Sequence, residues 1–386
     1  MFKKFFKFSF IVLPAAIFLT AYSSIPENVS VTLGQNPEFK WGMSVEAVSE
    51  NCESYSCRVK LFNFIPIKTV NVSVNPKMYL IPSGKAIGVR LYTDGILVVG
   101  TGEVYDDSGR KYHPAKDAGI LTGDRIISAN GKKLSKTEDI AKSINENNGT
   151  ISLEVIRGDK QLDITLNAVF SPNSGCYKAG LWVRDSTAGI GTMTFINPDN
   201  STFAALGHAI CDSDTKDILP VSHGNISNCT INRVYKGENG SPGELSGKFS
   251  NDIIGKITKN TGTGLYGNYS EEIQNGEKIP AASRFQVKEG KAEILCDIDG
   301  NGPKPYKIEI TKLSKSVHAL NKDMVIKITD PVLLEKTGGI IQGMSGSPIL
   351  QNGRIVGAVT HVFVNDPTRG YGIFIENMLS EAEKIK

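Results

Sequence analysis

The chain has 386 residues, 40% of them hydrophobic and 22% charged, with a formal net charge of +3. That length calls for two or three domains, and the even mix of acids and bases excludes a charge-driven nucleic-acid binder or a disordered chain. The six cysteines, Cys52, Cys57, Cys176, Cys211, Cys229 and Cys296, form no C-x-x-C pair, which argues against a zinc site.

At the N-terminus, Lys3, Lys4 and Lys7 precede an uncharged apolar run from Phe8 to Tyr22. This is the pattern of an export signal. As a helix the run reaches roughly 22 Å, short of the ~30 Å hydrocarbon core. Ala21-Tyr22-Ser23 is a poor cleavage site, so residues 1–25 are expected to be an export signal or a retained membrane anchor. Either one sends the chain across the cytoplasmic membrane. Residues 26–79 read as short strand-like pieces broken by Asn, Pro and Gly, an N-terminal β extension. Cys52 and Cys57 are close enough in sequence to bridge in an exported chain.

Residues 80–170 form a second unit. Ile87-Gly88-Val89 leads into one strand and Gly95-Ile96-Leu97-Val98-Val99 into another. Ala118-Gly119-Ile120-Leu121-Thr122-Gly123-Asp124-Arg125-Ile126 places a helical turn before a strand. Asn130-Gly131 is a two-residue hairpin signal. Ser135 and Glu138 make a capping box for a helix through Asn145, with Ile140, Ala141 and Ile144 as its apolar face. Strands from Ile151 to Arg157 and from Gln161 to Ala168 close the unit. The pattern resembles a PDZ domain. That resemblance implies a groove in which a peptide adds to a strand edge, with Ile87, Gly88 and Val89 as the carboxylate-binding loop.

Ser171-Pro172-Asn173-Ser174-Gly175 reads as a linker. From there to residue 386, short strands alternate with Gly, Asn and Pro turns, the spacing of one or two closed barrels. Only the end, from Glu376, reads as helix. Within this part, Gly343-Met344-Ser345-Gly346-Ser347-Pro348 places a hydroxyl on a glycine-flanked turn. Such a turn lets a substrate carbonyl approach and aims backbone N–H groups at one point. A serine needs a base. Among the five histidines, His208 interrupts an otherwise apolar strand, Ala204-Ala205-Leu206-Gly207-His208-Ala209-Ile210. His361 stands in the strand after the serine turn, where a side chain lines a substrate pocket. Asp330, fifteen residues before Ser345 in the sequence, is the expected orienting acid. Ser347 is a rival nucleophile, but the Gly-x-Ser-Gly register favours Ser345.

The stretch from Thr337 to Pro348, with Gly357-Ala358-Val359-Thr360-His361, Gly189-Ile190-Gly191-Thr192-Met193-Thr194 and Leu206-Gly207-His208, resembles the stage IV sporulation protein B family of PDZ-containing serine peptidases. The resemblance covers roughly residues 80–380. It implies a mostly β chain, a PDZ domain followed over 171–386 by a chymotrypsin-like double β-barrel. His208, Asp330 and Ser345 then form the triad, with Gly343 and Ser345 as oxyanion donors and no metal or organic cofactor. It further implies a signalling protease that acts in the forespore intermembrane space. There it cleaves a membrane-associated regulator of an intramembrane metalloprotease, so that a sigma factor matures, and it cleaves itself. The rival expectation is an inactive peptidase fold serving as a PDZ-based adaptor.

Overall fold

A computed structural model describes residues 18–32, 37, 39, 42–50, 54–75, 78–273, 276–314 and 321–385. A helical stretch over 18–24 leads into a four-stranded sheet of β1 (Asn28–Thr32), β2 (Met43–Glu50), β3 (Ser54–Leu61) and β4 (Ile65–Asn75), ordered β1-β4-β3-β2. Alternate residues such as Cys57, Val59, Val70 and Val72 are buried on one face, as period-two patterning requires. Cys52 and the apolar run up to residue 17 lie outside the described residues. Among the described residues no helix is long and apolar enough to cross a membrane.

Next come β5 (Tyr79–Pro82) and a long strand, β6 (Ala86–Thr101). Two short strands, β7 (Val104–Tyr105) and β8 (Lys111–Tyr112), precede helix α1 (Pro114–Asp117). They are followed by β9 (Arg125–Ala129), β10 (Lys132–Lys133), helix α2 (Thr137–Glu146), β11 (Thr150–Arg157) and β12 (Lys160–Asn167). This PDZ unit is held by a core that includes Ile96, Val98, Ile126, Ile140, Ile144 and Leu153. The helix starts one residue later than the capping box predicts. Asp139, not Glu138, reaches back to accept from the backbone N–H groups of Ser135 and Lys136, because the hydrogen-bonded turn begins at Thr137.

The expected linker is the turn of a hairpin between β13 (Val169–Ser171) and β14 (Cys176–Lys178). After it come β15 (Leu181–Ile196), β16 (Thr202–Ala205), β17 (Val221–Tyr235), β18 (Glu244–Thr261) and β19 (Gly264–Tyr269). The pairings run β6–β17–β18–β19–β16–β15 and return from β15 to β6. This ladder closes a first barrel around Ile87, Val89, Met193, Phe203, Ile226 and Ile257. Its first strand is the front half of β6. The back half of β6 pairs with β9 in the PDZ unit, and β15 runs beside β6 along its whole length. Boundaries at residues 80 and 170 thus divide the sequence, while two strands run unbroken through both units.

The second barrel follows the short β20 (Ile279–Pro280). It closes as β21 (Gly290–Cys296), β22 (Lys304–Leu313), β23 (Met324–Ile328), β26 (Asp366–Phe374), β25 (Arg354–Phe363) and β24 (Pro348–Gln351). Helix α3 (Pro331–Thr337) leaves β23, and helix α4 (Ile375–Ala382) ends the fold. Ile294, Ile308, Ile326, Ile349 and Val359 fill this barrel. The chain is therefore mostly β, with a PDZ unit before two barrels.

Candidate active site

The serine turn lies between α3 and β24, and the first barrel grips it. The N–H of Thr192 donates to the Ser345 carbonyl at 3.0 Å. The Thr192 hydroxyl donates to the Gly343 carbonyl at 2.7 Å, and the Thr194 hydroxyl to the Gly346 carbonyl at 2.8 Å. Three carbonyls of the turn are thus drawn toward β15. Among the described residues the N–H groups of Gly343 and Ser345 have no protein acceptor, so two amide dipoles are left for a developing oxyanion. Gly346 has φ +96°, and a side chain there would put its Cβ 2.1 Å from the Thr192 carbonyl oxygen. Only glycine allows that approach.

Ser345 is half-buried, and its hydroxyl donates to the Thr360 carbonyl at 2.7 Å. Ser347 is fully buried, with its hydroxyl donated to the Met344 carbonyl at 2.7 Å. A hydroxyl sealed in its own turn is closed to a substrate, whereas that of Ser345 is partly open.

His208 arrives on a strained corner. Leu206, a buried non-glycine residue, has φ +69°, in the left-handed region that side chains disfavour. The corner packs directly on the serine turn: a Cβ on Gly346 would lie 2.4 Å from the Leu206 nitrogen. The imidazoles of His208 and His361 face each other with ring centres 4.8 Å apart. His361 directly follows Thr360, whose carbonyl holds Ser345. The structure therefore gathers Ser345, His208 and His361 where the two barrels meet.

The His208 Nδ1 lies 2.7 Å from the Ala209 carbonyl. A carbonyl can only accept, so Nδ1 carries the proton and Nε2 is left with its lone pair. Burial pushes the His208 pKa down, so the ring is neutral, as a base must be. Burial first, then repulsion from any proton on His208 and from Lys322, lowers that of His361 to about 4. The buried His361 Nδ1 has no hydrogen-bond partner.

Two expected assignments are corrected. Asp330 does not orient His208. It is the N-cap of α3, where one carboxylate oxygen accepts from the Val332 and Leu333 N–H groups and the other from that of Lys307. The following Pro331 favours a helix start, and the Asp before it serves that start. Among the described contacts no carboxylate reaches either imidazole; a backbone carbonyl takes the orienting position. Nor do Ile87, Gly88 and Val89 form a carboxylate-binding loop. They lie within β6, paired with β15 on one edge and β17 on the other, with Ile87 and Val89 buried in the first barrel. A strand paired on both edges has no room for an added peptide.

Residues that composition and spacing left without a role are Thr192, Thr194 and Thr360. Thr192 and Thr194 act through hydroxyls on carbonyls far along the chain and Thr360 through its own carbonyl, and the only signal in the sequence was their place inside stretches that carry the family resemblance. The described residues hold no group of His, Cys, Asp and Glu that could bind a metal ion.

Compared with known families, residues 175–379, more than half of the chain, match the family model of the SpoIVB peptidase S55. Residues 87–168 match that of the PDZ domain.

Proposed function

The chain belongs to the SpoIVB peptidase S55 family, a PDZ-containing serine peptidase, and from that premise we propose that Ser345 and His208 hydrolyse peptide bonds through an acyl-enzyme. The Ser345 hydroxyl turns from the Thr360 carbonyl toward His208, whose Nε2 takes its proton as Oγ attacks the scissile carbonyl. The oxyanion meets the N–H groups of Gly343 and Ser345; loss of one such donor typically costs about 10²–10³ in rate. His208 then protonates the leaving amine, and water releases the acyl group. The Ala209 carbonyl keeps the tautomer and stabilises the imidazolium, the work a carboxylate does in other triads. His361 lines the substrate side of the cleft beside His208. No metal or organic cofactor enters the reaction.

The observation that carries this reading is the half-buried Ser345 on a turn held through its carbonyls by Thr192 and Thr194, with the Gly343 and Ser345 amides left free among the described residues. Family membership and the Lys3-Lys4-Lys7 run before an apolar segment support a finer reading. The protein is exported and acts in the forespore intermembrane space, held there by its N-terminal segment or released from it. It cleaves a membrane-associated regulator of an intramembrane metalloprotease, which allows a sigma factor to mature, and it cleaves its own N-terminal region.

Purified wild type and Ser345→Ala are incubated and their fragments mapped by mass spectrometry. Fragments confined to the wild type support the reading; identical maps, with no cleavage in either, contradict it. One observation favours a second reading: Ser345 is hydrogen-bonded to a carbonyl rather than to His208. An inactive fold serving as a PDZ-based adaptor fits that resting geometry, and the same pair of maps separates the two.

A further inference from the structure

The hairpin of β3 and β4 ends in an uncharged stretch, Leu61-Phe62-Asn63-Phe64-Ile65-Pro66-Ile67. Leu61 pairs with Ile65, so Phe62, Asn63 and Phe64 form the turn between the strands. Leu61 and Ile67 belong to the core of the N-terminal sheet, while every residue from Phe62 to Pro66 is exposed. Phe62 keeps 63% of its surface open and Phe64 70%. Single exposed apolar side chains are ordinary, but a contiguous apolar tip marks a contact surface. The backbone adds a second observation. Phe62 has φ +53° and Asn63 φ +66°. Hairpin turns of this conformation ordinarily use Asn-Gly, and a bulky ring is disfavoured in the left-handed region. The sheet alone would be better served by a small residue at position 62. A ring kept there at a cost, and kept in water, serves a contact outside the sheet.

The neighbours of the tip say what kind of contact. The helical stretch over 18–24 is tied to β4, because the Lys68 ammonium donates to the Ile25 carbonyl at 3.0 Å and lies 5.0 Å from the centre of the Tyr22 ring. Lys68 follows Ile65 by three residues, about 10 Å of strand. Phe18, Leu19 and Tyr22 are exposed on that stretch, and the sequence before it is the apolar run preceded by Lys3, Lys4 and Lys7. Charge behind the tip is mixed. Lys60 pairs with Glu46 at 2.6 Å, Lys68 with Glu27 at 3.8 Å, and Arg58 stands opposite Glu46 across β2 and β3.

We propose that Phe62, Phe64 and Ile65 dip into the surface of a lipid bilayer and hold the N-terminal sheet against it. A narrow apolar tip needs no matching pocket in a fluid boundary of head groups and acyl chains. Lys60 and Lys68 stand behind it on long stems, so their ammonium groups stay among the head groups as the rings enter. Glu46 and Glu27 offset those cations, so the rings rather than charge attraction carry the contact, and neutral and anionic lipid serve alike. Docking of this kind fixes the height and tilt of the N-terminal sheet on the membrane. It stands apart from the reading of Ser345 as a nucleophile.

The test uses full-length Ser345→Ala protein, in which self-cleavage cannot remove the N-terminal segment, with Phe64→Trp added as a reporter. The protein is floated with vesicles of phosphatidylcholine, with and without phosphatidylglycerol. The emission gained over the Ser345→Ala parent should be quenched by lipid brominated near the head-group end of its chains and shielded from aqueous acrylamide, in both lipid mixtures. Adding Phe62→Gly removes one buried ring, so the ratio of lipid-quenched to acrylamide-quenched reporter should fall by about tenfold or more. The same variant should melt no lower than its parent, because glycine suits φ +53°. A reporter open to acrylamide and untouched by brominated lipid overturns the proposal. So does a reporter shielded from both, which puts the tip against protein, either a second copy or a partner. Quenching lost without phosphatidylglycerol, an unchanged ratio in Phe62→Gly, or protein that does not float with the vesicles overturns it as well.

Discussion

The two barrels are built on the same plan and reach it by different routes. The second takes all six strands from one continuous stretch, Gly290 to Phe374. The first gathers strands from Ala86 to Tyr269, with the PDZ unit intervening between its first strand, β6, and its second, β15. The proposed nucleophile, Ser345, belongs to the local barrel and the proposed base, His208, to the dispersed one. Ser345 sits on a loop of its own barrel, but its carbonyl and those of Gly343 and Gly346 are held by a strand of the other barrel. The PDZ unit is joined to the base-bearing barrel by two shared strands, not by a flexible tether.

Breaking the comparison at its strongest point means removing the base. His208→Ala should lower the rate at which a fluorophosphonate acylates the protein by on the order of 10⁴, as removal of a general base does in a serine hydrolase. A fall of less than about tenfold would shift the base role to His361. Weakening the grip of the first barrel is the next test. Thr192→Val leaves the buried Gly343 carbonyl without its hydroxyl partner, at a cost of about 1–3 kcal/mol in stability. Acylation should also slow by about tenfold, as the amides lose their aim. Thermal melting and labelling of one sample read both.

Asp330→Ala sharpens the contrast from the other side. The carboxylate caps α3, so its loss should cost about 1 kcal/mol of stability, with acylation changed by no more than about threefold. A loss on the order of 10⁴ would restore Asp330 to the triad. The smallest effect is on pH dependence. Burial holds the pKa of His208 down and that of His361 at about 4, against about 6.5 in an unfolded chain. Between those values the unfolded state binds more protons, so stability falls as pH drops through that window. His361→Phe should melt with a shallower loss between pH 7 and pH 5 than the wild type.

The same contrast explains what the sequence made legible. Gly343-Met344-Ser345-Gly346-Ser347 pointed to a candidate nucleophile because a turn of glycines is a local event. His208 stood out because an imidazole in an apolar run is a local anomaly. Asp330 looked suitable by distance along the chain, yet Pro331 after it was the better guide, since Asp-Pro begins a helix. Ile87-Gly88-Val89 reads as the lead into a strand and as a binding loop, and lies inside the strand instead. Its partners, β15 and β17, lie about a hundred residues away or more, and no periodicity within β6 can say which strand takes which edge. Thr192 and Thr194 were hidden for the same reason, because each acts on a carbonyl some 150 residues distant.

Everything proposed for this site rests on Ser345 being the nucleophile that the joined barrels activate. A fluorophosphonate probe applied to the folded wild type, followed by peptide mapping, tests it most directly. A single adduct on Ser345 is expected, absent from Ser345→Ala and much slower to form in His208→Ala. An adduct on Ser347, or an unlabelled protein that still melts cooperatively, would contradict it.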